Sequence, residues 1–381
     1  MTTVGVDFTH NYGYGGIGTY SRELVKEMSF LYPEVNFELI TQLRKRFRFQ
    51  GCFNGIENID IKEVMPSRLL LGKGLGFAVD AVRLSLWRQA SKKLDLIHFT
   101  YPEFYVSGLH NAVSTIHDII PLYIEKYKEI DREHLMKYKI DTIIKESHRV
   151  IVPSEFVKSE LEKYFPDSIG KNSVIYEGVK DLFKCCPVDY EVLKKYGIPV
   201  GMPFYLYVGR LEQRKNLDYV FEAFRMLPDS IRKEAGLVVV GNGNDRLAAA
   251  LRDKIRKLGI DNSVYHLQGV PDLDLLHFYN AATALLFVSY SEGFGLPLVE
   301  AMNCGCPSII SNVSSLPEVA DGAALLVDPY DVEQISHGME TMIGDSNLRE
   351  TLKNRGLMVA KRYTWRNAAT ETMALYQQAL A

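Results

Sequence analysis

The feature that most constrains this chain is a repeated alternation of short apolar runs with stretches of helical spacing. In the first half the runs are TVGVDF, NFELIT, LDLIHF, AVSTIHD, RVIVPS and NSVIYEG, with helical stretches at 18–29, 76–93 and 131–148. A second series starts at PFYLYVG (203–209) and continues through GLVVVG, SVYHLQG, ALLFVS, PSIIS and ALLVD, each followed by a helix-period segment. Apolar runs separated by helices are the pattern of parallel strands buried on both faces. Two such series predict two doubly wound Rossmann-like α/β domains, and a length of 381 residues suits that number. The Gly-, Pro- and charge-rich stretch 178–203 reads as the linker. Ligands of such sheets sit outside the carboxyl ends of the strands, against helix N-termini, so two facing domains would make a cleft.

Charge and cysteine content narrow the functional class. The net charge is −3, which supplies no global field for nucleic acid. Residues 40–93 hold 11 Lys/Arg against 4 Asp/Glu, a local cationic region. It reads either as a solvated face or as a patch that meets an anionic membrane or substrate. The five cysteines (Cys52, Cys185, Cys186, Cys304, Cys306) form neither an even disulfide framework nor a pair of C-x-x-C motifs, so reduced cytosolic thiols are expected. The N-terminus enters a strand without a basic leader, and no run approaches about 18 apolar residues. A cytoplasmic protein is expected, with peripheral contact at the inner face of a membrane left open.

The segment NYGYGGIGTYSREL (11–24) contains G-x-G-x-x-G as Gly13, Gly15 and Gly18, between a strand and a helix. A dinucleotide site places its first Gly directly after the strand and an acidic residue about 20 positions on. Here four residues intervene after Phe8, and the second strand is followed by Gln42, Leu43, Arg44, Lys45 and Arg46. An NADP site, a loop for other phosphate chemistry and a ligand-free loop all remain open at this point.

The densest constellation is SEGFGLPLVEAMNCGCPSI (291–309). Pro297 is placed to begin a helix, with Glu292 in the loop before it and Glu300 in its first turns. Backbone N–H groups near Leu298 and Val299 are expected to be unpaired and available to phosphate oxygens. Carboxylates flanking such amides suit vicinal hydroxyls, which each can hold by two hydrogen bonds. In YLYVGRLEQRKNLDYVFEAF (205–224), Arg210 follows a strand end and Lys215 precedes a helix expected to be capped by Asn216. Two cations there suit a diphosphate. In TIHDIIP (115–121), His117 and Asp118 leave another strand end.

Together the G-G-x-G loop, the HD pair, GRLEQRKN and the E-x7-E spacing resemble the retaining GT-B glycosyltransferases of family 4, over essentially the whole chain. The segment SNVSSLPEVADGAALLVDPYD (311–331) looks most like bacterial polysaccharide and O-antigen mannosyltransferases, but has Ser314 and Ser315 where many relatives have glycines. The resemblance implies a GT-B fold with an acceptor-side domain 1–185, a donor domain 186–363, and a final helix (364–381) returning to the first. It implies that Glu300 holds ribose hydroxyls, Glu292 sugar hydroxyls, and Arg210 and Lys215 the diphosphate. His117 would contact the transferred sugar, with Gly15, Gly16 and Ile17 closing over phosphate and acceptor. Phe294, Gly295, Leu296, Leu298 and Val299 would complete the donor site.

The expected reaction is hexose transfer with retention, mannose from GDP-mannose, onto a growing lipid-linked polysaccharide such as O-antigen. A UDP-hexose donor is the alternative; an NADP-dependent oxidoreductase and a silent sugar-nucleotide-binding module are more remote. Asp272 and Asp274 form a D-x-D, the pattern that holds a divalent metal in another glycosyltransferase fold. Their place at a helix start instead suggests that Asp272 is an N-cap, so no catalytic metal is expected. No cofactor is expected beyond the nucleotide-sugar donor, and the net charge argues for no nucleic-acid partner.

Overall fold

The computed structural model describes residues 2–9, 15–42, 47–65, 85–109, 111–123 and 130–381. The chain divides into two compact units, Met1–Gly178 with Trp365–Ala381, and Val179–Thr364. The division therefore falls ahead of the 185/186 boundary expected from sequence.

The first unit is built on β1 (Thr3–Phe8), β2 (Asn36–Gln42), β3 (Ile59–Met65), β4 (Leu96–Phe99), β5 (Ala112–Thr115), β6 (Arg149–Val152) and β7 (Asn172–Val174). They form one parallel sheet in the order β3-β2-β1-β4-β5-β6-β7. The chain order reverses between β1 and β4, which is the switch point where doubly wound sheets bind ligands. β3 (IDIKEVM) is a strand that the pattern of apolar runs does not predict. It lies at the sheet edge, where half of its side chains can be polar, so it lacks the unbroken apolar run of the central strands.

The second unit repeats the plan with β8 (Phe204–Val208), β9 (Gly236–Val240), β10 (Val264–Leu267), β11 (Ala284–Phe287), β12 (Ser308–Ser311) and β13 (Leu325–Val327). The order is β10-β9-β8-β11-β12-β13, again all parallel, with the switch point between β8 and β11. Every residue of β8, β9 and β11 is buried, as strands covered on both faces require. Helices Leu217–Met226 and Val332–Gly344 close one face through Val220, Phe221, Phe224, Ile335 and Met339.

The final helix, Trp365–Leu380, belongs to the first unit and packs on helix Gly16–Leu31. Apolar positions Ala368, Met373, Leu375 and Tyr376 are buried, in keeping with their helical spacing. A chain of buried polar contacts fixes this docking. The Tyr376 hydroxyl lies 2.6 Å from His98 Nδ1, His98 Nε2 lies 2.7 Å from Thr115 Oγ1, and that hydroxyl lies 2.9 Å from Tyr20 Oη. Burial holds the His98 ring well below the usual histidine range, at about 3. Each partner is satisfied, so the network does not carry the cost of an orphaned buried group.

The predicted helix 76–93 is described only from residue 85. There Trp87 turns inward, fully buried with its ring 5.3 Å from Phe99. The remainder of that helix, with Arg44, Lys45, Arg46 and Gly13, lies outside the described residues. Among the described residues no helix is long and apolar enough to cross a membrane.

Candidate functional site

At the β8–β11 switch point of the second unit, two loops bring opposite charges together. After β8 the chain makes a short turn, Gln213–Lys215, which sets Arg214 and Lys215 side by side. After β11 the loop from Ser289 carries Glu292. Lys215 Nζ donates to Glu292 Oε1 at 2.5 Å, and Arg214 Nη1 donates to Glu292 Oε2 at 2.7 Å and to the Ser291 carbonyl at 3.1 Å. Lys215 also lies 4.8 Å over the Phe287 ring.

Burial alone would raise the Glu292 carboxyl; Arg214 and Lys215 overcome it and hold the group at about 2. The Lys215 ammonium is lowered, chiefly by burial, against the pull of Glu292. Arg210 differs. Its side chain is 69% exposed and meets Glu212 at 3.0 Å, while the Lys215 side chain is only 9% exposed. Three cations facing two carboxylates leave one positive charge in excess in this cluster.

The loop after Glu292 leads into helix Leu296–Asn303. Gly295 begins it at φ 111°, where a Cβ would come within 2.9 Å of Leu316, so this position demands glycine. Pro297 sits at the second helical position rather than the first. The amides of Leu298 and Val299 are not unpaired as expected: both reach the Gly295 carbonyl, at 2.9 and 3.4 Å, because the carbonyl of the residue that begins a helix accepts its first intrahelical bond. Ser315 donates to the carbonyls of Glu292 and Phe294, and Ser314 accepts from the Glu292 amide. Ser314 has φ 61°, a left-handed conformation that glycine adopts more easily. The hydrogen bond to the loop offsets its cost.

Glu300, in the same helix, is partly buried. Its Oε2 accepts from the Tyr279 hydroxyl at 2.8 Å, and Oε1 has no hydrogen-bond partner among the described residues. Burial pushes the carboxyl up to about 7, with Tyr279 opposing. The two glutamates are thus unlike: Glu292 is committed on both oxygens, and Glu300 keeps one to offer.

In the first unit, His117 stands just past β5. Nε2 donates to the Thr100 carbonyl at 3.0 Å, and Nδ1 lies 3.1 Å from Glu177 Oε1, a carboxylate that is 5% exposed. Tyr20 sets its ring edge-on to His117, with centroids 4.7 Å apart. Tyr20 belongs to helix Gly16–Leu31, so the described end of the glycine loop (Gly15, Gly16, Ile17) and His117 share one end of this unit's sheet. Gly15 begins that helix without a side-chain cap.

Residues 14–181 match the family described as Glycosyltransferase Family 4, and residues 190–357 the family described as Glycosyl transferases group 1. O-antigen chain mannosyltransferase B of Escherichia coli is 32% identical over 380 residues, covering 96% of this chain and 97% of that protein. The chain belongs to the group 1/family 4 glycosyltransferases. Two solved structures share the fold over 99% of both chains: sucrose-phosphate synthase of Thermosynechococcus elongatus (TM-score 0.80, 18% identity) and Anabaena HepE in complex with UDP and glucose (TM-score 0.76, 16% identity). Two Rossmann-like units are the GT-B architecture, and this glycosyltransferase acts on a nucleotide-sugar donor and a saccharide acceptor.

For a family 4 glycosyltransferase, several sequence expectations need correction. Asp272 does not cap its helix. Pro271 occupies the cap position, and Asp272 instead pairs with Lys180 at 2.6 Å. Asp274 pairs with Lys195 and accepts from Tyr196, so the two carboxylates of the D-x-D serve different lysines. Asn216 is the first residue of its helix boundary, but its amide donates to the carbonyls of Val288 and Pro329 rather than capping. Sequence reasoning missed Arg214, Tyr279 and Glu177. Arg214 stood in plain view beside Lys215 in QRKN; Tyr279 and Glu177 offer no spacing signal, since tertiary packing alone brings each to its partner.

Proposed function

We propose that this enzyme transfers a hexose with retention of configuration. The observation that carries the reading is the pair of glutamates at the β8–β11 switch point, one locked by cations and one with an oxygen free, in the E-x7-E spacing of the family. Glu300 holds the ribose hydroxyls of the donor. Glu292, fixed by Arg214 and Lys215, sets the loop Gly293–Gly295 against the transferred sugar. Arg210 and Lys215 favour the charge that builds on the leaving diphosphate. In the first unit His117 contacts the sugar, and Gly15, Gly16 and Ile17 border phosphate and acceptor.

In the reaction the bond from the anomeric carbon to the leaving phosphate oxygen breaks. The acceptor oxygen bonds to that carbon on the same face, and its proton passes to the leaving phosphate. No protein nucleophile is required.

Two donors have support. A UDP-hexose is favoured by the solved neighbours, of which HepE holds UDP and glucose; GDP-mannose is favoured by the full-length mannosyltransferase relative. The same relative supports an O-antigen-like acceptor, which would be lipid-linked and would bring the enzyme to a membrane surface. Nucleotide release from a panel of GDP- and UDP-sugars tests this reading. Release from one donor, stimulated by a saccharide acceptor, is expected; no release from any donor contradicts it.

A further inference from the structure

Tyr279 stands apart from the ordinary buried aromatics of the second unit. It lies in helix Asp272–Ala281, fully buried, with its ring edge-on to Phe183 at 5.7 Å. Its hydroxyl is spent on a single acceptor, Glu300 Oε2, 2.8 Å away in a different helix. A phenylalanine would fill the same space, so packing alone does not account for the hydroxyl. A carboxylate held by one donor on one oxygen has its rotamer fixed and its second oxygen aimed.

We propose that Tyr279 is the positioning residue for Glu300: it occupies Oε2, presents Oε1 to the vicinal hydroxyls of the donor ribose, and supports the ionised form that those hydroxyls need. This rests on the reading of Glu300 given above and deepens it. The surrounding charges bear on the same group. Asp272, at the start of the Tyr279 helix, disfavours a negative Glu300, and Lys180, paired with Asp272 at 2.6 Å, favours it. Cys304, next to the end of the Glu300 helix, has its thiol pushed up by burial and stays neutral beside the carboxyl. Since burial brings Glu300 to about 7, loss of the Tyr279 donor shifts the carboxyl further toward its neutral form at neutral pH.

The experiment is titration calorimetry of UDP and GDP into the full chain, from about pH 6 to about pH 9, for the parent, Tyr279→Phe, Asp272→Asn and Glu300→Ala. Tyr279→Phe is expected to weaken the nucleotide that binds on the order of tenfold at pH 7, with the deficit shrinking as pH rises. Asp272→Asn should move the acid limb of binding the opposite way, to lower pH. A Tyr279→Phe variant with parental affinity and parental pH dependence would reduce Tyr279 to a core ring and overturn the proposal. Should Tyr279→Phe not fold, as circular dichroism would report, an unmoved limb in Asp272→Asn overturns the electrostatic coupling instead. Glu300→Ala separates the two claims. If it binds nucleotide like the parent, the ribose reading itself fails; if it is weakened while Tyr279→Phe is not, only the positioning role falls.

Discussion

Lys215 and Glu292 meet at 2.5 Å between the loops that follow β8 and β11, with both side chains almost wholly removed from water. Arg214 closes on the other oxygen of the same carboxylate. A buried pair of this kind is costly to break from one side, because the remaining charge is left without compensation.

Glu292→Ala should therefore lower stability by about 3–5 kcal/mol, the range for removing one partner of a buried pair. It should also abolish most transfer. Because the folded carboxyl sits at about 2, well below its ordinary value, the pair's contribution is complete above about pH 4.5 and is lost as pH falls toward 2. Denaturant unfolding of parent and variant at pH 7 checks the magnitude; equal stabilities would contradict the electrostatic reading of the loop.

Arg210→Ala should behave differently. Its pairing with Glu212 is at the surface, where such contacts are worth about 0–1 kcal/mol, so the variant should unfold like the parent. Transfer should nevertheless slow on the order of 10²-fold, since the role proposed for this charge is to stabilise the leaving diphosphate. Steady-state rates with saturating donor, alongside a melting curve, test the contrast. Parental turnover would remove Arg210 from the site.

Much of this arrangement was legible in the sequence, for a physical reason. Central parallel strands must be apolar on both faces, so β8, β9 and β11 announce themselves, and edge strand β3 does not. The ends of those strands then place Arg210, Lys215, Glu292 and Glu300 at one switch point without further information. What spacing could not supply was pairing. Whether Glu292 faces a ligand or Lys215, and whether the Leu298 amide is free or turned to Gly295, depends on loop dihedrals set by Gly295 and Ser314. Likewise Asp272 looked like a cap from its place at a helix start, but Lys180, distant in sequence, claims it.

His98 makes a prediction about acid stability. Its ring is buried neutral, with both nitrogens engaged, and its folded value is depressed to about 3. The unfolded chain takes up a proton near pH 6.5 and the folded one does not, so stability falls as pH drops below about 6.5, by up to about 1.4 kcal/mol per pH unit for this group alone. In His98→Asn the fold should be weaker at pH 7 but show a shallower decline between about pH 6.5 and 5. An identical slope would show that the ring is not buried as described.

His117→Ala should reduce turnover more than donor affinity, because the residue is assigned to the transferred sugar rather than to the nucleotide. Glu177→Gln, which keeps the shape but removes the charge beside Nδ1, should lower turnover in the same direction and by less. Initial rates across donor concentrations separate the two parameters. A change in KM alone would move His117 to general donor binding.

The most direct measurement of the central claim is calorimetric titration of the parent and of Glu300→Ala with UDP and with GDP at pH 8, where Glu300 is largely ionised. The account predicts saturable one-to-one binding of one nucleotide to the parent, weakened at least tenfold by the substitution. No binding of either nucleotide to the parent, or equal binding by both proteins, would contradict the placement of the nucleotide-sugar donor at the β8–β11 switch point.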